Sequence, residues 1–280
     1  MRKIIFIFFV LFLGINAFAQ EKKNTFYLAF EKGYYSYREP HMRYPISIKG
    51  DKMGASFEWV RSDVIPEGVK QQGTSFSAFE LRYMGGDATY DGWLYDPMTE
   101  IATPASSSGE EDYYLEARIL FGKNYFLSEN ITTGLYLGVG YRMLYNNSDM
   151  EGAYKRISHY TYVPLGLKLG TGIGNWQISL NGEFDWFLFG EQRSGLFEND
   201  GYVVNKQNQG YGLRGSLRLQ TNILTRFGFF VEPYYRMWKI QNSDEAIVSG
   251  YDPIEGYWAI ACVEPFNVTK EAGIKVGIIF

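Results

Sequence analysis

Cysteine is almost missing from this chain. One thiol, Cys262, in 280 residues excludes an internal disulfide, and it reads as an ordinary buried thiol. Histidine is scarce, so any catalytic base of that type must be His41 or His159. Proline is sparse, at nine. Beyond the first nineteen residues no run of ~18 apolar residues occurs, so no helix is long and apolar enough to cross a bilayer. A surplus of basic charge is also missing: without Arg2 and Lys3, 25 basic side chains face 31 acidic ones. That balance argues against nucleic acid as a partner. What is abundant is aromatic. Tyr and Phe number 23 and 21, and glycine reaches 31, yet the mean hydropathy is a mildly polar −0.22.

Residues 1–19 have the build of a cleaved leader. Arg2 and Lys3 give a positive start, Ile4 to Leu13 an apolar core, and Ala17-Phe18-Ala19 a small-residue cleavage site. Cleavage near Ala19 leaves residues 20–280 as one domain. The cleavage point carries no cysteine, so a lipoprotein anchor is excluded.

The rest of the chain alternates. Ile274, Val276, Ile278 and Phe280 oppose Gly273, Lys275 and Gly277, which is period 2, the mark of a strand with two unlike faces. Nine earlier segments do the same, around Phe26–Glu31, Ala55–Trp59, Phe79–Tyr83, Tyr113–Gly122, Gly134–Arg142, Val163–Gly170, Trp176–Leu188, Leu213–Gln220 and Phe229–Met237. Trp176 and Trp186 share a face ten residues apart. On a strand tilted by about 45° that is roughly 23 Å along the membrane normal, close to the apolar band of a membrane barrel. Trp59, Tyr235 and Phe280 are expected to join those two tryptophans in the aromatic girdles. The connections alternate as well. Leu127–Asn130, Thr171–Asn175 and Asn222–Thr225 are tight turns. The stretches 39–50, 86–111, 146–157, 190–209 and 241–266 are expected to be long polar loops. The connection Asp63 to Gly73 is too long for the short-turn side. The expected fold is therefore an all-β, antiparallel, up-and-down transmembrane barrel of ten strands, with eight as the alternative.

The leader, the alternation, the loop asymmetry and the terminal aromatic strand together resemble a Gram-negative outer-membrane β-barrel. Tyr90-Asp91-Gly92, Gly140-Tyr141-Arg142 and Tyr162-Val163-Pro164-Leu165-Gly166 are similar to segments of uncharacterised porin-like barrels. The Ala-Phe-Ala-Gln ending is similar to leaders common in Bacteroidota. The resemblance implies an outer-membrane location and contact with lipid and lipopolysaccharide. It also implies recognition of the C-terminal strand by the barrel assembly machinery.

Alternation places Glu31, Glu58, Glu80, Glu116, Glu183, Asp185 and Glu232 inside, with Arg82, Arg118, Arg142, Lys168, Arg214, Arg218, Arg236 and Lys275. In so narrow a tube these groups are expected to meet and pair as a salt-bridged plug, because unpaired buried charges are costly. A narrow conducting path is the alternative. Glu183 and Asp185 lie about 7 Å apart on one face, a glycosidase-like spacing, but arginines beside them favour ion pairing. Ser158-His159 is a candidate hydrolase pair, yet His159 shares the lipid-facing side with Thr161 and Val163, opposite Asp185. Gly170-x-Gly172-x-Gly174 leads into a strand and reads as a hairpin turn, not a nucleotide loop. No enzyme activity, metal or cofactor is expected.

Recognition is left to the loops. Acids cluster at Glu100, Glu110, Glu111 and Asp112, and at Asp244, Glu245, Asp252, Glu255 and Glu264. They read as solvated or repelled by lipopolysaccharide, with a cation or basic-partner site as the alternative. Tyr90 to Trp93 is placed to extend strands three and four as a protruding hairpin presenting aromatics to an extracellular partner.

Overall fold

The computed structural model describes residues 22–65, 72–96, 101–148, 154–195, 201–224, 227–252 and 256–280. The leader with Ala19, and Glu100 and Glu255, lie outside them. So do most of the 63–73 connection and part of the Asn222–Thr225 turn.

Ten antiparallel strands form one closed sheet. They are β1 (Lys22–Glu39), β2 (Ile46–Asp63), β3 (Gly73–Asp96), β4 (Ile101–Phe126), β5 (Ile131–Asn147), β6 (Arg156–Ile173), β7 (Trp176–Ser194), β9 (Gly210–Leu224), β10 (Phe227–Ile240) and β13 (Asn267–Ile279). The short β8 (Val203–Gln207) pairs with the upper end of β7, and β11 (Ala246–Asp252) with β12 (Gly256–Cys262) makes a separate hairpin. Neighbours in sequence are neighbours in space except at the seam. There β13 pairs with β1 from Tyr27↔Ile279 to Arg38↔Val268. Phe26 and Phe280 exchange two backbone hydrogen bonds of 2.8 and 3.0 Å, and their rings stack at 5.6 Å. Closure leaves the barrel no open edge.

The outer face is apolar, with Leu28, Phe30, Leu81, Leu137, Leu180, Val231 and Val276 all exposed. Trp59, Trp176 and Phe280 are exposed toward the short-turn ends of their strands, and Trp186, Tyr235, Tyr34, Tyr83 and Tyr141 are exposed further toward the opposite ends. An amphipathic ring has one apolar and one wet end, so it settles at a bilayer interface.

The connections differ from the expected loops in one respect: the strands climb further. The pairing of β3 with β4 runs on to Asp96↔Ile101, past a bulge at Ala88/Thr89, so residues 86–96 and 101–111 are the arms of the protruding hairpin expected around Tyr90 and Trp93, and not a long polar loop. The 39–50 stretch shrinks to residues 40–45. Strand β7 continues to Ser194 within 190–209. Sheet hydrogen bonding is satisfied as well by polar side chains outside the membrane as by apolar ones inside it, so composition alone does not mark where pairing stops. On the short-turn side Leu127 N donates to Ile131 O at 2.9 Å, and Gly174 turns with φ +59, a conformation that favours glycine. Cys262, at the end of β12, is half-buried.

Inward glycines make room for tyrosines. A Cβ at Gly140 would lie 2.2 Å from the Tyr162 ring, and one at Gly166 would lie 1.9 Å from Tyr136. Gly140→Val is expected to cost about 1–3 kcal/mol through overpacking, lowering the unfolding temperature in detergent. Gly172→Ala, where a Cβ meets open space, leaves that temperature unchanged.

Candidate functional site

The lumen holds the polar chemistry. Period-2 alternation turns one side chain in two inward, and a ten-strand barrel brings opposite walls within reach of Arg and Glu side chains. Near one end, Arg218 of β9 donates to Glu232 of β10 at 2.5 Å and across the lumen to Glu58 of β2 at 2.8 Å. Arg118 of β4 donates to Glu80 at 2.6 and 2.9 Å, and also bonds Glu183 of β7. Arg214 holds Glu116 bidentately at 2.6 and 2.8 Å and Asp185 at 2.5 Å. Tyr162 adds a 2.8 Å bond to Glu116.

The next layer centres on Glu271 of β13. It accepts from Arg142 of β5 at 2.5 Å, Arg82 of β3 at 3.1 Å and the Tyr114 hydroxyl at 2.6 Å. Strands β5 and β13 stand on opposite sides of the ring, so this contact crosses the full bore. Arg82 also donates to Glu31 at 2.7 Å and to Tyr234 at 2.9 Å. The guanidinium of Arg142 lies over the Tyr114 ring at 4.2 Å. Bidentate and stacked geometry suits arginine, which explains why the bore is crossed by guanidinium groups and not by amines.

Above this network a largely aromatic layer fills the bore: Tyr160, Tyr162, Phe187 and Trp238, with Ile240, all buried. A second cluster of Tyr35, Tyr37, Ile48, Met84 and Tyr114 packs beside it. Below, among Glu58, Glu80, Lys168, Arg218 and Lys275, lies a chamber of about 120 Å³.

Most interior residues expected from alternation meet in this network, and three are held more weakly. Lys168 faces the chamber without a carboxylate at ion-pair distance among the described residues. Arg236 reaches Glu271 only at 3.8 Å and rests instead over Tyr234 at 4.4 Å. Lys275 approaches Glu31 at 3.5 Å. Sequence reading missed Glu271, because the last strand starts at Asn267, before the alternation that was read from Gly273. The signal was present: Glu271 continues the face of Lys275 and Gly273.

Three acids assigned to solvated loops are in fact buried. Asp112 pairs with Lys52, Glu110 bonds Ser148, and Glu264 sits 4 % exposed over the mouth of the bore. Once β3, β4 and the segment after β12 are placed against the rim, these carboxylates point inward. No group of acids, histidines and cysteines fit to hold a metal occurs among the described residues. Both histidines lie away from the network. His41 stacks on Phe266 at 4.7 Å, and His159 faces outward with its Nδ1 2.6 Å from the Tyr141 hydroxyl.

Glu264 lies outside the strands and faces Tyr37 and Glu39 of β1, Arg156 of β6 and Gln192 of β7. The Tyr37 hydroxyl touches both Glu39 (2.8 Å) and Glu264 (2.9 Å). One hydroxyl hydrogen serves one carboxylate, so the second contact needs a proton on a carboxyl. Burial pushes Glu264 up to about 7; Arg156 opposes the shift and Glu39 adds to it.

No family model matches the chain, and no curated protein matches it. Among solved structures it is similar to the outer membrane protease OmpT from Escherichia coli, at a TM-score of 0.58 and 12% identity, covering 94% of this chain and 98% of that one. It also aligns with the translocator domain of the autotransporter NalP from Neisseria meningitidis, at 0.41 and 8%, covering 95% and 92%. The fold is that of an outer-membrane β-barrel, and at such identity the likeness is one of fold alone.

Two outcomes test the site. Glu271→Ala leaves Arg82 and Arg142 buried without their shared acid, and is expected to cost about 3–5 kcal/mol in urea unfolding from lipid vesicles. Glu264 has its pKa raised on folding, so its stabilising contribution is full below its unfolded pKa and is lost as pH rises through about 7. Unfolding temperature is expected to fall between pH 5 and pH 8, and Glu264→Gln to flatten that dependence.

Proposed function

We propose that this chain is a non-enzymatic, non-conducting barrel of the bacterial outer membrane that acts from its outer surface. The observation that carries this reading is the crossed bore. Arg142 and Glu271 meet from opposite walls, with arginine–carboxylate pairs below and a buried aromatic layer above. A solute pathway through that section has to break charge-assisted bonds in a region from which bulk water is excluded.

The leader directs export and is removed near Ala19, and the mature chain reaches the outer membrane, where folding proceeds through recognition of the C-terminal strand by the assembly machinery. The partners facing the lipid are bilayer lipid and lipopolysaccharide. Recognition outside falls to the tall β3–β4 hairpin and to the β11–β12 hairpin, where Tyr257 is 90% exposed. Protease chemistry, which the name of the Escherichia coli neighbour states for that protein, finds no support here. His159 faces outward and Asp185 is held by Arg214 within the bore. A second reading, a small channel, draws on the chamber beside Lys168.

Reconstitution into a planar bilayer separates the two. The proposal expects no steady conductance from the wild type and intermittent openings from a variant carrying both Arg142→Ala and Glu271→Ala. Steady single-channel steps from the wild type would replace it with the channel reading.

A further inference from the structure

The outer face just above the tyrosine rim is not uniform in charge. On three adjacent strands, Arg38 (β1), Lys270 (β13) and Lys239 (β10) point away from the bore. Arg38 and Lys239 are both in register with Val268, one on each side of it. Lys270 lies two residues along from Val268, opposite Ser36. Two strand spacings set the width of the cluster at about 10 Å. None of the three has a carboxylate at ion-pair distance among the described residues. On the same outer face Lys49 is paired with Asp91 at 2.7 Å and Arg193 with Glu191 at 2.6 Å, whereas these three cations share one small area with no such partner. Lys239 lies over the Tyr211 ring at 5.8 Å, but like charges on neighbouring strands repel and no described carboxylate offsets the three, so an anion placed among them is favoured.

Its position says which kind of anion. Tyr34 and Tyr235, on β1 and β10, mark the rim directly beneath it, and the apolar face lies below them. The cluster is therefore level with lipid headgroups and continuous with the surface that acyl chains cover. Above it a groove of about 690 Å³ opens on the same outer face, and Arg38 lines both. Trp93, Pro104, Asp91 and Ser106 line the groove, and the Tyr44 ring packs on Trp93 at 5.1 Å. An aromatic plane beside a carboxylate and a hydroxyl suits the apolar face and the hydroxyl edge of a sugar ring.

We propose that this face binds a phosphorylated glycolipid of the outer leaflet, its phosphates on Arg38, Lys239 and Lys270 and its sugars in the groove beside Trp93. The assignment rests on the outer-membrane reading above and adds a defined site to it. Acyl chains lie against the apolar belt, the phosphates meet the three cations, and the saccharide extends along the β3–β4 hairpin.

The test uses the full folded protein in phosphatidylcholine nanodiscs, with folding checked by heat-modifiable mobility. The probes are rough lipopolysaccharide with a short core, the same material dephosphorylated, lipid A without core sugars, and phosphatidylglycerol. Each basic residue held near an anionic surface contributes roughly fivefold to binding, so the triple variant Arg38→Gln, Lys239→Gln, Lys270→Gln is expected to bind rough lipopolysaccharide well over tenfold more weakly. Dephosphorylation is expected to weaken wild-type binding similarly. Trp93→Ala is expected to weaken binding of rough lipopolysaccharide but not of lipid A. Arg193→Gln, whose cation is already paired, changes neither. Equal binding by the triple variant and wild type, or phosphatidylglycerol bound as tightly as lipopolysaccharide, overturns the proposal. Either result in a folded, inserted protein leaves the non-conducting barrel reading intact, since conductance tests that separately.

Discussion

A backbone in hydrocarbon has no water to bond, so every amide and carbonyl in the membrane must find a partner on the chain itself. One sheet can do this only by closing. The seam between β1 and β13 is thus the pairing on which the others depend: without it two long edges would face lipid. The terminal residues secure it with backbone bonds and with a stack of Phe280 on Phe26, which in turn stacks on Phe57 at 6.3 Å.

Closure of only ten strands then dictates the interior. The bore is narrow enough for side chains from opposite walls to touch, and it is too dry to leave an ion alone. Arginines solve both problems, because one planar group can satisfy two carboxylates and still stack on a tyrosine. Arg82 does this with Glu31, Glu271 and the rings of Tyr114 and Tyr234. Glycines opposite the tyrosines complete the packing. The same constraint that makes the fold possible in lipid therefore fills its centre and moves its external chemistry to the outer face and the hairpins.

Much of this was legible in the residues. Alternation located all ten spanning strands, because each strand has one apolar and one polar environment and period 2 records both. It placed the interior charges on the correct face, and Trp93 with Tyr90 on an extended hairpin. Pairing partners were less accessible. That Arg142 bonds Glu271 across the bore at 2.5 Å, with its strand neighbour Glu116 only at 3.9 Å, depends on strand tilt and stagger, which appear only when the sheet closes. The fates of Glu110, Asp112 and Glu264 were hidden for a related reason. Above the membrane both faces of a strand tolerate polar residues, so alternation loses its contrast and a buried carboxylate looks like a solvated one. Lys168 shows the opposite limit: its face was legible, but not that the nearest acids are committed to Arg218 and Arg118.

Hydrogen–deuterium exchange of the protein in lipid bilayers addresses closure directly. The amides of Tyr27–Arg38 and Val268–Ile279 are expected to be protected as long as those of the β4–β5 pairing. Rapid exchange along both of these segments, with protection kept elsewhere, would show an open sheet and contradict the account.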